Sequence, residues 1–123
     1  MPVRFEIDLE RRRVVTTWEG DVTLAENRNF IEALGADPDF DPSLDQLSDA
    51  RSVTTAVPSD RLADLARSQV FGSGSRRAIV VDSDLVFGVS RMYQAYTGQG
   101  GPEVRVFRDL EEANSWLDHG DDA

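Results

Sequence analysis

Apolar and polar positions change period several times along the chain, and the changes divide it into short elements. Val3, Phe5, Ile7 and Leu9 alternate with Arg4, Glu6 and Asp8, the period of a strand with one buried and one wet face. After the polar break Glu10 to Arg12, the β-branched and aromatic run Val14 to Trp18 predicts a second strand, joined to the first as an antiparallel hairpin. Gly20 and Asp21 end it. Thr23, followed at the right spacing by Glu26, makes a capping box for a helix whose inward face is Leu24, Phe30, Ile31 and Leu34, with Gly35 placed to stop it.

Asp37 to Pro42 is a turn-rich loop with aspartates at alternate positions. That spacing opens a calcium loop, but Pro42 and Ser48 stand where an EF-hand needs its glycine and its bidentate glutamate, so Asx turns account for the aspartates. Leu44 to Ala50 reads as a short strand. Pro58 and Ser59 introduce a helix with Leu62, Leu65, Ala66 and Val70 on one face, capped by Ser59, and Gly72 to Ser75 form its exit loop. In the stretch Arg76 to Asp82, the unbroken apolar run Ala78 to Val81 is the signature of a parallel strand covered on both faces, and it is the predicted central strand.

Ser83 or Asp84 then caps a helix in which Leu85, Val89, Met92 and Tyr96 recur at i, i+4, i+7 and i+11, a predicted core stripe. Val86, Phe87 and Tyr93 make this helix more apolar around its circumference than a surface helix requires, which marks them as candidates for a ligand or partner surface. Gly98 to Pro102 end the helix. Val104, Val106 and Phe107 form the last strand, and Asp109 with Glu112 caps a final helix with Leu110, Ala113, Trp116 and Leu117 inward.

The order ββαβαβαβα defines an α/β fold with a mixed β-sheet, its first strand antiparallel at the edge and right-handed crossovers between the parallel strands. No repeat or linker divides it. The expectation is a single domain over residues 1–118 and an acidic, disordered tail over 119–123, with His119 in the tail.

Composition narrows the function. A chain of 123 residues is long enough for one core without staples, and its 40% hydrophobic and 29% charged content is ordinary for a globular domain. No apolar run approaches the ~20 residues of a membrane span, so the chain is not expected to be transmembrane. The first residues lack the pattern of a signal peptide, and the absence of cysteine fits a reducing compartment, so a cytoplasmic protein is expected. The formal charge of −10 weighs against a nucleic-acid partner or an anionic membrane surface. All thirteen basic residues are Arg, alongside fifteen Asp, a composition that either GC-rich coding or adaptation to high salt produces.

Several chemistries are excluded. The single His119 leaves no Ser-His-Asp triad and no His-based zinc site; without Cys or Lys there is no thiol nucleophile, P-loop lysine or Schiff base. Gly72 to Gly74 precedes a strand and is not a dinucleotide fingerprint, and no cofactor is expected. Asp49, Asp82 and Asp109 fall at the predicted carboxyl ends of parallel strands, where open α/β sheets bind ligands, and are candidates for a magnesium site in competition with their use as caps and turn residues. Arg51 and Arg108 share that edge and are candidates for clamping an anion.

The element order, the run Arg77 to Val81, the helix segment Phe87 to Tyr93 and the ending Val104 to Leu117 resemble the SpoIIAA-like proteins of the STAS (sulfate transporter and anti-sigma factor antagonist) superfamily, a branch likened to the CRAL-TRIO lipid-binding domain. The resemblance spans nearly the whole chain in architecture and its C-terminal third in motif. It implies a non-enzymatic regulatory or protein-interaction module that binds a protein partner or forms a homodimer. Its alternative implication is a carrier of a small apolar ligand or lipid. In regulatory members a phosphorylatable serine opens the helix after the third strand, and Ser59 is the position onto which it carries over, in a turn that lacks the accompanying Asp, second Ser and Gly. A carrier needs an enclosed apolar pocket, whereas a partner-binding module needs an exposed patch.

Overall fold

The computed structural model describes residues 3–55, 57–98 and 101–120. Strands β1 (Val3–Asp8), β2 (Arg13–Asp21), β3 (Asp45–Thr55), β4 (Arg76–Val80) and β5 (Glu103–Phe107) form one sheet in the order β1-β2-β3-β4-β5. β1 runs antiparallel to β2 at the edge, with Val3 opposite Trp18 and Asp8 opposite Arg13, and the remaining neighbours are parallel. Helices α1 (Leu24–Ala36), α2 (Leu62–Ser68), α3 (Asp84–Thr97) and α4 (Leu110–His119) complete the predicted order, with the short 3-10 turn Ser59–Arg61 before α2.

This strand order dictates the layers. The sheet is built in one direction, so each right-handed crossover puts its helix on the same face; α4, which leads to no further strand, is free to cover the other. Two core clusters result. Val14, Trp18 and Val81 pack with Phe30 and Leu34 of α1, with Phe71 from the loop after α2 and with Val86 of α3 on the three-helix face. Leu47, Ala78 and Val80 pack with Ala113, Trp116 and Leu117 of α4 on the opposite face.

Local signals hold where the causes are local. Thr23 Oγ1 accepts from the Glu26 N–H, Ser83 Oγ from that of Val86 and Asp109 Oδ1 from that of Glu111, each satisfying a donor that a helix start leaves unpaired. Asp37 and Asp41 make Asx turns to Asp39 and Ser43. Other expectations are corrected. β4 is interior and covered on both faces, but β3 is the middle strand. β3 continues past Ala50 to Thr55, held by β2 through irregular pairings of Glu19 with Ser52 and Asp21 with Thr55. α1 runs past Gly35 to Ala36. The cap position of α2 is Arg61, with no side-chain cap bond, so Ser59 lies upstream of it in the 3-10 turn; the side chain of Ser59 falls outside the described residues. His119 occupies the last turn of α4 instead of a tail, and residues 121–123 lie outside the described residues.

The largest correction concerns α3. Leu85, Met92 and Tyr96 of the expected core stripe are 61%, 42% and 51% exposed, while Val86 and Ser90 are buried and Tyr93 is half-buried. The helix is rotated relative to its apolar stripe, and the cause lies in the sheet beneath it.

α4 is anchored to β2 through Arg13, whose guanidinium donates to Asn114 Oδ1 at 3.2 Å and Asp118 Oδ1 at 2.7 Å. The Arg13 hydrogen bond holds the Asp118 carboxyl below the ordinary 3.8 of an aspartate, with desolvation opposing it. A folded-state value below the unfolded one means that the pair stabilises above the unfolded value and stops doing so as acid carries the carboxyl through its folded value. Asp118 is 43% exposed, so the contribution is a screened one. Asp118→Asn is expected to cost about 1 kcal/mol at neutral pH. The gap to the parent should close in denaturant melts repeated in increasingly strong acid, and a gap independent of pH would contradict the pairing.

Candidate functional site

On the three-helix face, alternate residues of the parallel strands point at α1, α2 and α3. β2 contributes Thr16 and Trp18, β3 contributes Gln46, Ser48 and Ala50, and β4 contributes Arg77 and Ile79. A continuous apolar floor would be the usual solution. Here a charged residue and three neutral polar ones interrupt it, and each is buried: Thr16 0%, Gln46 1%, Ser48 7% and Arg77 9% exposed.

These groups are connected. Gln46 and Arg77 are register partners on adjacent strands, which places their side chains together on one face. Arg77 Nε donates to Gln46 Oε1 at 2.9 Å, and Gln46 Nε2 donates to Thr16 Oγ1 at 3.0 Å. A guanidinium has no acceptor, so this network sets which end of the Gln46 amide faces Arg77. Arg77 Nη1 donates to the Tyr93 hydroxyl of α3 at 2.7 Å. The guanidinium carbon lies 4.9 Å from the Phe71 ring centroid and 5.4 Å from that of Tyr93, so two aromatic rings flank the charge. Farther along the sheet, Trp18 Nε1 donates to Ser48 Oγ at 2.7 Å, and the Trp18 ring meets Phe30 edge-on at 5.1 Å.

This polar floor explains the rotation of α3. Over Arg77 and Gln46 the favourable inward side chains are a phenol and a hydroxyl, so Tyr93 and Ser90 turn inward and Leu85, Met92 and Tyr96 turn out.

Between floor and helices lies a cavity of about 160 Å³, partly open to solvent. Its walls are apolar: Phe30 and Ile31 of α1, Leu62 and Leu65 of α2, Val86 and Val89 of α3, with Ala50, Val53 and Val57 along the β3 side. β4 ends opposite Asp49 while β3 continues, so the extra length of β3 supplies the rim. The cavity therefore sits toward the carboxyl ends of the strands, the usual ligand edge of a parallel sheet. Polar groups reach it at Asn27, Gln46, Ser48, Arg77, Ser90 and Tyr93. Among its lining residues there is no carboxylate, imidazole or thiol, hence no base to activate either serine.

The sequence-derived candidates distribute unevenly. Val86 and Tyr93 line the cavity. Phe87 packs against the larger core cluster, with the Arg108 guanidinium 4.4 Å from its ring centroid. Arg108 also pairs with Asp84 at 2.7 Å, and Arg51 grips Asp49 through Nε at 2.9 Å and Nη2 at 2.8 Å. That side-chain bonding from Arg51 holds the Asp49 carboxyl below its ordinary value. Asp49 lies in the middle of β3 instead of at its end, Asp82 is exposed just beyond β4, and Asp109 caps α4. Among the described residues, no group of three or more Asp, Glu, His or Cys is placed to hold a metal ion.

Arg77, Gln46, Ser48 and Ser90 were not singled out by the sequence reading. The available signal was a charged residue at an inward position of an otherwise apolar strand, but its partners become neighbours only through strand pairing across some thirty residues of chain.

A sheet of this order, with its antiparallel first strand, three helices on one face and one on the other, is an STAS-type α/β architecture. The family model for SpoIIAA-like proteins matches residues 13–118, and the chain belongs to that family. Among solved structures, an uncharacterised protein from Shewanella loihica PV-4, described as having a SpoIIAA-like fold, is similar over 94% of this chain and 93% of its own, with a TM-score of 0.61 and 17% identity. That likeness concerns the fold alone. No curated protein matches the chain. Among the described residues, no helix is long and apolar enough to cross a membrane.

Proposed function

We propose that the protein is a non-enzymatic binding module whose ligand is a small molecule with an apolar body, held between the sheet and helices α1 to α3. The observation that supports this is the cavity, with apolar walls and a few convergent polar groups, the usual construction of a small-molecule site. Its size limits the ligand. A volume of about 160 Å³ compares with an engineered cavity of about 150 Å³ that takes benzene, and falls below the roughly 300–1,000 Å³ of drug-sized sites. A single ring or a medium acyl chain fits, and a two-chain lipid does not. The carrier reading is thus favoured in a narrower form than a general lipid carrier.

Ser90 gives the test. It is 8% exposed and lines the cavity from α3, so Ser90→Phe places a ring in the space the ligand would occupy. Saturation with a compound that binds raises the melting temperature by several degrees, since occupancy at about a hundredfold over Kd adds roughly 2.7 kcal/mol. Screening single-ring and medium-chain compounds, neutral and charged, is expected to find such binders for the parent and none for a folded Ser90→Phe. Equal shifts in the two proteins would place binding elsewhere.

A second reading rests on a separate observation. The exposed Leu85, Met92 and Tyr96 form an apolar stripe on the outer side of α3, which favours a protein partner or a second copy docking there, as the family's regulatory role would require. Native mass spectrometry at micromolar protein separates the two, reporting a dimer or a bound small molecule. Ser59 remains the candidate phosphorylation site, upstream of α2, whose Leu62 and Leu65 line the cavity.

A further inference from the structure

We propose that Arg77 is an anion anchor and that the ligand is a small organic acid, one carboxylate on a single ring or medium acyl chain. This rests on the cavity reading above and specifies its ligand. The chain contains a second buried arginine, and the contrast between the two carries the argument. Arg13 is 4% exposed and has a carboxylate, Asp118, at 2.7 Å. Arg77 is 9% exposed and has none: among the described residues its partners are the neutral Gln46 and Tyr93 and two aromatic ring faces, and its Nη2 has no acceptor. A chain with twenty-three acidic residues leaves a guanidinium without a counter-ion beside an apolar cavity. Burying a charge is costly, and neutral acceptors recover only part of that cost.

The neighbouring groups point the same way. Tyr93 accepts from Arg77, so its own O–H remains available to donate. Ser90, one helical turn before it on the cavity wall, is 8% exposed, and its hydroxyl has no hydrogen-bond partner among the described residues. The Arg77 Nη2, the Tyr93 O–H and the Ser90 O–H are thus donors on the cavity with no acidic acceptor among its lining residues. Gln46, itself held by Thr16, and the two flanking rings fix the guanidinium in place, so little ordering is required when an acid binds. One cation matches one negative charge. A phosphate would bring a further charge with no second lining cation, into a protein of formal charge −10. A monocarboxylate is therefore favoured over a phosphate ester.

The test compares each acid with its neutral amide in the same shape: octanoate with octanamide and phenylacetate with phenylacetamide, by calorimetric titration of the parent, Arg77→Met and Arg77→Lys. The parent is expected to bind the acids on the order of ten- to a hundredfold more tightly than the amides. Arg77→Met should bring that ratio close to one with amide affinity little changed, and Arg77→Lys should restore part of it. Equal affinity of the parent for acid and amide would overturn the anchor and leave the cavity reading standing. A preference that survives in Arg77→Met would overturn it also. If neither acids nor amides bind, the cavity reading falls and the anchor with it. Should Arg77→Met fail to fold, the acid-to-amide ratio of the parent still decides.

Discussion

Val80→Asp is expected to give no soluble, folded protein. Val80 has no exposed surface and lies in β4, between Asp49 of β3 and Phe107 of β5, with its side chain among Ala78, Ala113, Trp116 and Leu117 on the α4 face. An aspartate there loses the transfer free energy of a buried valine, about 1.5–3 kcal/mol. It also has to remain neutral, and a burial shift of 3–5 pKa units corresponds to roughly 4–7 kcal/mol. The register partner Asp49 adds a like charge on the same face, only partly offset by its pairing with Arg51. Together these approach or exceed a typical domain stability of about 5–15 kcal/mol. Expression in the soluble fraction and near-ultraviolet circular dichroism read the outcome, with Val80→Ala as the folded control. A Val80→Asp protein that melts with the parent would contradict the placement of β4 between two covered faces.

Leu34→Ala should lower stability by about 2–5 kcal/mol, the range for removing a buried leucine and leaving part of its volume empty. Leu34 has no exposed surface and is among the largest fully buried side chains, joining α1 to the three-helix face of the sheet with Phe30, Trp18 and Val14. For a domain of this length that corresponds to a fall of roughly 10 °C or more in melting temperature. Leu85→Ala removes the same atoms from a side chain that is 61% exposed, so a change within about 0.5 kcal/mol is expected. Similar losses at the two positions would mean that α3, and not only α1, buries its leucine.

The contrast between these leucines shows what the sequence could reveal. Helix starts were legible at Thr23, Ser83 and Asp109 because a cap is a relation between residues a few positions apart. The hairpin and the interior position of β4 were legible because alternation and an unbroken apolar run each answer to burial directly. The extension of β3 was not, since Arg51 to Thr55 are held by pairing to β2 and carry little apolar signal of their own. The orientation of α3 was misread because an apolar stripe predicts the inward face only when the surface beneath it is apolar. Beneath α3 lie Arg77 and Gln46, and their adjacency arises from strand pairing. The site was hidden for the same reason: its polar members come from β2, β3, β4 and α3, and no short motif unites them.

The measurement that bears most directly on the cavity is a nitrogen–proton NMR titration of the full chain with octanoate, following side-chain as well as backbone signals. The account predicts saturable shifts at the Trp18 indole N–H, the Arg77 Nε–H, the Gln46 amide and the backbone of Val86 to Tyr93, with Ala113 to Leu117 on the opposite face unmoved. Saturable shifts confined to the α4 face or to the exposed surface of Leu85, Met92 and Tyr96, or no shifts at all, would contradict it.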